Sequence, residues 1–327
     1  MSKPVVLVTG TAVSEQASKP LRAAGFEMVF MKMPVDEAAL LKAVAEHPVR
    51  AVILRGPAPF TPAVFDAAGE LKIISKNGAG IDSVDLASAN AHGVAVMITE
   101  GANADAVAEM SLSLMLALSR ELPRYERLLR GGGWKDQGYQ VRDFRVRAVG
   151  IVGYGQIGSR TARLAQACGA RVIVHSRRRV ELPQGMEWED SLDGLLARAD
   201  IVSLHTPLTD RTRGLIGAAQ LAKMKRGSFI VNTSRGKLID EPALIAALQS
   251  GNLAGAGLDV FAQEPPDPKN PLFSMPNVIV TPHVASSTTG AADRMGAICA
   301  QNILHYLRGE VYDPRNFVNP QIMKQRA

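Results

Sequence analysis

Short aliphatic runs alternate with longer stretches of helical spacing along the first hundred residues. Val5–Val8, Val29–Met31, Ala51–Leu54, Leu71–Ser75 and Val94–Ile98 read as buried strands. Ser14–Ala24, which ends at Gly25, and Val35–Ala45 carry helix-like patterns between the first of them. Strands separated by helices predict a parallel sheet with helices on both faces.

A long helix is expected over Asn103–Arg120, a stretch apolar nearly all round and therefore expected to be buried, against another subunit if not its own. A loop-like region from Gly131 to Arg145 follows it. A second alternating series then begins, with strands at Ala148–Val152, Arg171–His175, Ile201–Leu204, Phe229–Val231, Gly255–Leu258 and Val278–Thr281. Helices are expected at Gln156–Cys168, Leu192–Ala197, Ala218–Met224 and Glu241–Gln249. This is the order of a doubly wound dinucleotide-binding domain. The helical stretch Gly290–Leu307 lies beyond that series and is expected to return to the first domain.

Composition narrows the class. A chain of 327 residues suggests two domains, and 46% apolar residues suit large aliphatic cores. The formal charge of +6 favours anionic ligands but is too small on a chain this long to imply nucleic-acid binding. The two cysteines, Cys168 and Cys299, form neither a CxxC nor a Cys/His cluster, so no disulfide framework and no metal site is expected. Both sit in apolar helical patterns, which predicts buried thiols. The N-terminus runs straight into a strand without a signal-peptide h-region, and no apolar run approaches the roughly 18 residues of a membrane span. A reduced, cytoplasmic protein is the expectation.

The chemistry begins at Gly153-Tyr154-Gly155-Gln156-Ile157-Gly158, which follows a strand and opens a helix. The first glycine permits the tight turn, the second lets backbone approach a pyrophosphate, and the third lets helix pack closely on strand. The helix start, with Gln156 and Ile157, then offers N–H groups and partial positive charge to phosphates. At the end of the next strand an acidic residue ordinarily takes the adenine ribose hydroxyls of NAD. Here the segment is His175-Ser176-Arg177-Arg178-Arg179, with no carboxylate. Ser176 can donate to a 2′-phosphate, and a guanidinium can pair with one. NADP(H) is therefore expected over NAD(H), which stays possible, with contacts from His175, Ser176, Arg177 and Arg178 and with Arg179 in solvent.

Three further segments each follow an apolar strand: Asn232-Thr233-Ser234-Arg235-Gly236, Gly257–Pro265 and Thr281-Pro282-His283. Strand ends of an open parallel sheet converge on one crevice, so Arg235, Glu264 and His283 are expected to meet despite their separation. Hydride transfer to a keto carbon leaves negative charge on oxygen. A histidine can supply the proton, a carboxylate beside it favours the loaded form, and an arginine can clamp a carboxylate and polarise the carbonyl. On the first domain, Leu54 and Arg55 with the following Gly56-Pro57, and Lys76, end strands and could meet a phosphate or second carboxylate of a substrate.

With these residues in view the chain resembles the D-isomer-specific 2-hydroxyacid dehydrogenase family over essentially its full length. The resemblance is carried by Gly153–Gly158, Ser203–Thr209, Val231–Asp240, Gly257–Pro265 and Thr281–Ala285. It implies two doubly wound parallel-sheet domains, a Rossmann-type cofactor domain (100–285) and a discontinuous flavodoxin-like substrate domain (1–99 and 286–327), with a cleft between them. It implies catalytic roles for Arg235, Glu264 and His283. Substrate carboxylate binding falls on the loop Asn77-Gly78-Ala79-Gly80, and cofactor contacts on His205, Thr206, Pro207, Thr233 and, for the carboxamide, Asp259. A homodimer built around the cofactor domains and Asn103–Arg120 follows as well. Many members carry Asp where this chain has Ser176, and members with Ser-Arg-like segments resemble NADPH-linked reductases.

The expected activity is an oxidoreductase that reduces small 2-keto acids, glyoxylate or hydroxypyruvate, to D-2-hydroxy acids. A 3-phosphoglycerate-type or phosphite dehydrogenase is the alternative within the enzymes, and a non-enzymatic, dinucleotide-sensing corepressor-like protein the alternative outside them. Domain closure about Ile98–Asn103 and Ala285–Gly290 is expected of such a fold.

Overall fold

The computed structural model describes residues 3–135 and 140–325. The chain forms two compact units, one of residues 1–103 and 288–327, the other of residues 104–287.

The first unit contains β1 (Val5–Val8), α1 (Glu15–Ala23), β2 (Glu27–Phe30), α2 (Glu37–Glu46), β3 (Val49–Leu54), α3 (Pro62–Ala67), β4 (Ile73–Lys76), α4 (Leu86–Ala91), β5 (Ala95–Met97) and the C-terminal helix Thr289–Leu307. Its sheet is parallel, in the order β2-β1-β3-β4-β5. Alternation along each strand serves two cores. Val5 and Leu7 face a core with Leu40, Phe60 and Phe65, whereas Val6 and Val8 face Leu21, Cys299, Ile303 and Tyr306. The C-terminal helix thus covers the face that α1 covers. A Cβ at Gly296 would collide with Ser14, so glycine sets how closely that helix approaches α1. The sequence analysis does not mark α3 and α4, each six residues long.

The second unit contains α5 (Ala104–Ser119), α6 (Leu122–Arg130), β6 (Ala148–Val152), α7 (Gln156–Ala167), β7 (Arg171–His175), β8 (Met186–Trp188), α8 (Leu192–Arg198), β9 (Ile201–Leu204), α9 (Ala218–Lys223), β10 (Ser228–Asn232), α10 (Glu241–Gln249), β11 (Leu253–Leu258) and β12 (Val278–Val280). All seven strands are parallel, in the order β12-β11-β10-β9-β6-β7-β8. The order reverses between β9 and β6, the switch point at which such sheets bind ligands. The helix α5 is buried within its own unit. Leu114 and Leu118 lie within 3.3 Å of where a Cβ would stand on Gly257, so this glycine lets the helix settle on β11.

Two expectations change. Edge strand β8 is half-buried and polar at its centre, where Glu187 pairs with Arg171 and Arg198, so it lacks the apolar run that marks the others. Cys168 is exposed, not buried, because the chain leaves the helix there and Cys168 caps α7. Cys299 is buried, and burial pushes its thiol up to about 12. Among the described residues no helix is long and apolar enough to cross a membrane, and no group of three or more metal-ligating side chains occurs.

Candidate active site

Because the strands of the second unit are parallel, the segments after β6, β9, β10, β11 and β12 emerge at one edge. Backbone hydrogen bonds stitch neighbouring segments together there: His205 N–H to Val152 O (2.8 Å), Asp259 N–H to Asn232 O (3.0 Å) and Thr281 N–H to Leu258 O (2.9 Å).

Glu264 and His283 meet at this edge. His283 Nδ1 lies 2.7 Å from Glu264 Oε2, and Glu264 Oε1 accepts the Phe261 N–H at 3.1 Å. Burial alone would raise the Glu264 carboxyl. The hydrogen bond and charge of His283, the Phe261 N–H and the Arg235 guanidinium outweigh it and hold the group below the ordinary carboxylate value. His283 has φ 54°, a left-handed conformation uncommon outside glycine. Its N–H is held by Asp259 O at 2.8 Å.

Arg235 donates from Nη1 to Ser234 O (2.7 Å), and its own carbonyl accepts from Asn232 Nδ2 (2.9 Å). A Cβ on the adjacent Gly236 would overlap the backbone of Phe261 and Ala262. The arginine segment and the glutamate loop therefore touch backbone to backbone. Glu241, at the start of α10, accepts from Ala262 N–H (3.2 Å) and from Asn270 Nδ2 (2.8 Å), which fixes the same loop. Sequence reasoning missed Glu241; its only signal is its place between the capping Asp240 and Pro242.

Asp259 is fully buried, and its carboxylate accepts from Thr281 Oγ1 (2.6 Å), Val284 N–H (2.8 Å) and Ala285 N–H (2.9 Å). Its side chain thus holds the turn that carries His283, and Oδ2, with one of these bonds, keeps a further acceptor position. Thr233 is likewise engaged, its hydroxyl 2.8 Å from that of Ser111 on α5.

The glycine turn has the geometry its sequence predicts. Gly153 has φ +95°, and a Cβ there would lie 2.6 Å from His205 O. A Cβ on Gly158 would overlap the Gly153 carbonyl oxygen, whereas one on Gly155 would meet nothing within 4 Å. The open space thus lies over the second glycine, at the start of α7, where the first-turn N–H groups have no helical acceptor. The Gln156 side chain is taken by Arg160, 2.8 Å away, which leaves the backbone of Gln156 and Ile157 for a ligand. Beside the turn, His205 Nδ1 and Thr206 Oγ1 are buried without a hydrogen-bond partner among the described residues. His205 Nε2 pairs with Ser203 Oγ at 2.9 Å, and burial pushes the imidazole down to about 3, so it is neutral. The carbonyl of Pro207 accepts from Thr212 Oγ1 at 2.7 Å. An open helix start and two orphaned polar atoms fit a dinucleotide.

Gly153 N–H donates to His175 O at 2.8 Å, which sets the segment after β7 beside the turn. His175 Nδ1 lies 3.0 Å from Glu189 O, Ser176 is half-buried, and Arg177 and Arg178 are exposed. Arg179 is exposed but turns away, to Asp190 at 3.5 Å and over the Trp188 ring.

In the first unit two groups, at the end of β3 and in the loop after β4, are already engaged. Leu54 is a core residue, fully buried, and its carbonyl accepts the Asn77 N–H at 2.9 Å, so it presents nothing to a ligand. The Gly78 N–H is also spent, donating to Thr99 Oγ1 at 2.9 Å. Ala79 is exposed and Gly80 half-buried, and their N–H groups have no acceptor among the described residues. Arg55 donates from Nη1 to Ala12 O, and Lys76, nearly buried, donates to Gly56 O at 2.6 Å.

Residues 112–285 match the family model described as D-isomer specific 2-hydroxyacid dehydrogenase, NAD binding domain. The chain is 39% identical over 275 residues to a glyoxylate reductase of Korarchaeum cryptofilum, 82% of each being covered. It is 35% identical over 311 residues to a D-3-phosphoglycerate dehydrogenase of Archaeoglobus fulgidus, covering 94% of this chain but 58% of that relative. Its fold matches the crystal structure of an NADPH-dependent glyoxylate/hydroxypyruvate reductase from Sinorhizobium meliloti in complex with NADP and malonate. That match has a TM-score of 0.82 and 32% identity over 96% of this chain and 97% of the other.

Proposed function

The chain belongs to the NAD(P)-dependent D-isomer specific 2-hydroxyacid dehydrogenases, and from that premise we propose that it is an NADPH-preferring reductase of glyoxylate and hydroxypyruvate. The observation that carries the chemistry is the 2.7 Å contact between His283 Nδ1 and Glu264 Oε2. With Nδ1–H donated to an anionic Glu264, Nε2 is the nitrogen left to give a proton to the keto oxygen. A bound nicotinamide supplies the hydride. Arg235 polarises the carbonyl. Within the first unit, the Ala79 and Gly80 N–H groups are the proposed carboxylate donors. Replacing His283 with Ala is expected to lower kcat by about 10²–10⁴-fold, the ordinary weight of a positioned acid. The NADPH dissociation constant, read by fluorescence titration, should not change.

The NADPH preference rests on the segment after β7. It lacks a carboxylate, it is tied to the glycine turn through His175 O, and it offers Ser176, Arg177 and Arg178. The Sinorhizobium meliloti neighbour, named as NADPH-dependent, supports the same reading. The test is matched initial rates with glyoxylate and hydroxypyruvate, each with NADPH and with NADH. A lower KM for NADPH is expected. Exchange of Arg177 and Arg178 for Ala together should raise it about tenfold or more and leave the NADH value in place. Turnover with NADH alone would refute the preference, and no turnover with either cofactor would refute the substrate class.

The Archaeoglobus fulgidus relative and the cations Arg55 and Lys76 favour a second reading, reduction of 3-phosphohydroxypyruvate, which belongs in the same substrate panel. We also propose a homodimer. Helix α6 buries no residue, and Leu122, Leu129 and Trp134 are exposed large apolar side chains, an arrangement a second subunit would cover. Light scattering that gives the mass of a monomer would refute it.

A further inference from the structure

We infer that Thr99 is the positioning residue that makes the Asn77–Gly80 loop a carboxylate receptor, an inference that rests on the reductase reading above. Gly78 has φ +137°, and Thr99 meets both its N–H and its carbonyl, beside a contact of that N–H to Lys76 O at 3.0 Å. Its N–H donates to Thr99 Oγ1 at 2.9 Å, and its carbonyl accepts the Thr99 N–H at 3.0 Å and faces the hydroxyl at 3.3 Å. Thr99 is fully buried. With the Gly78 N–H turned inward to the hydroxyl, the two following N–H groups, of Ala79 and Gly80, have no acceptor among the described residues. Adjacent N–H groups presented by a left-handed glycine turn form a concavity suited to an anion.

Thr99 is itself held from either side by the C-terminal part of the chain. Ile98 N–H donates to Asn316 O (2.8 Å), and Glu100 N–H donates to Asn316 Oδ1 (3.0 Å). Asn302, on the C-terminal helix, donates to Ile98 O (3.0 Å) and to Ser75 Oγ (3.3 Å) and accepts from Asn316 Nδ2 (3.2 Å). Asn302 and Asn316 are buried, at 0% and 2% exposure, so this network is shielded from competing water. The residues before and after Thr99 cannot shift without breaking it. The hydroxyl that orients Gly78 is thus fixed by side chains more than two hundred residues further along the chain.

The test compares Thr99→Val and Thr99→Ser with the wild type. Valine keeps the shape but leaves the Gly78 N–H only its three-residue turn contact to Lys76 O at 3.0 Å, and the loop is expected to respond by turning that group outward. The expected result is a rise of about tenfold in KM for glyoxylate, with KM for NADPH within twofold, and recovery of the wild-type value in Thr99→Ser. An active wild type whose Thr99→Val variant keeps its glyoxylate KM, or loses NADPH and glyoxylate binding alike, would overturn this role and leave the reductase reading standing. A wild type inactive on every keto acid would overturn both. Should Thr99→Val not fold, amide exchange in the wild type decides. Slow exchange at Gly78 and fast exchange at Ala79 and Gly80, the latter two slowed by oxalate with cofactor present, are expected. Equal exchange at all three would refute the inference.

Discussion

Two glycine loops at the ends of parallel strands are the proposed binding loops of this protein, and they use glycine for different reasons. In the turn after β6, Gly153 and Gly158 are crowded. A Cβ on either would strike backbone, from His205 or from Gly153 itself. In the loop after β4, the nearest atom to a Cβ on Gly78 would be Lys76 Cε at 3.9 Å, so room is not the constraint; the left-handed φ of +137° is. One loop is built by close packing and presents a helix start to phosphates. The other is built by a hydrogen bond from the Gly78 N–H to Thr99 Oγ1, and its two following N–H groups are the proposed carboxylate donors. The first should fail by overpacking, the second by strain and rotation.

The largest effect should come from Gly158→Ala. A methyl group there overlaps a backbone oxygen that no rotamer can move, so a loss of about 3 kcal/mol or more is expected, together with loss of NADPH binding. Chemical denaturation and fluorescence titration read both. Unchanged cofactor affinity would mean that the turn is not packed as described.

A smaller effect concerns pH. His205 crowds the glycine turn, and its folded-state value of about 3 lies below the unfolded value of 6.5. The unfolded chain therefore binds the extra proton between these values. The contribution of His205 is fully present above pH 6.5 and is lost as pH falls below it. Lowering pH from 7 to 5 should remove about 2 kcal/mol of stability through this residue. A His205→Asn variant should show a correspondingly flatter dependence, measured by urea unfolding at both pH values. Equal slopes in the two proteins would place His205 in water.

The smallest effect should be that of Gly78→Ala, where strain of about 1–2 kcal/mol is expected without a clash. Kinetics should show a higher KM for the keto acid and an unaltered KM for NADPH. The opposite split, with the cofactor affected and the acid not, would erase the distinction between the two loops.

These contrasts also mark how far the sequence reaches. The Gly153–Gly158 turn was legible because its causes are local: a strand, three glycines at fixed spacing and a helix follow one another along the chain. The neighbourhood of Glu264 and His283 was legible for a related reason, since residues just past parallel strands share an edge. The Thr99–Gly78 bond, by contrast, joins residues 21 positions apart, and Asn302 and Asn316 lie further still. No spacing rule connects them. Asp259 was expected at a ligand, and the structure adds that it holds the His283 turn. Its motif gives its place on the sheet edge but not which donors reach its oxygens. Cys168 was expected in the core on helical period alone, and the helix ended one residue earlier.

What the sequence alone determined is the alternation of strand and helix, the parallel sheets it requires, and the residue types delivered to their edges, because these depend on periodicity and on short-range backbone sterics. What only the tertiary structure decided is which of those groups remain available. The Gly78 N–H, the Leu54 carbonyl, the Thr233 hydroxyl and the Asp259 carboxylate all have internal partners, whereas the Ala79 and Gly80 N–H groups have no acceptor among the described residues. A buried polar group must find a partner, and the partner it finds is set by packing between distant segments.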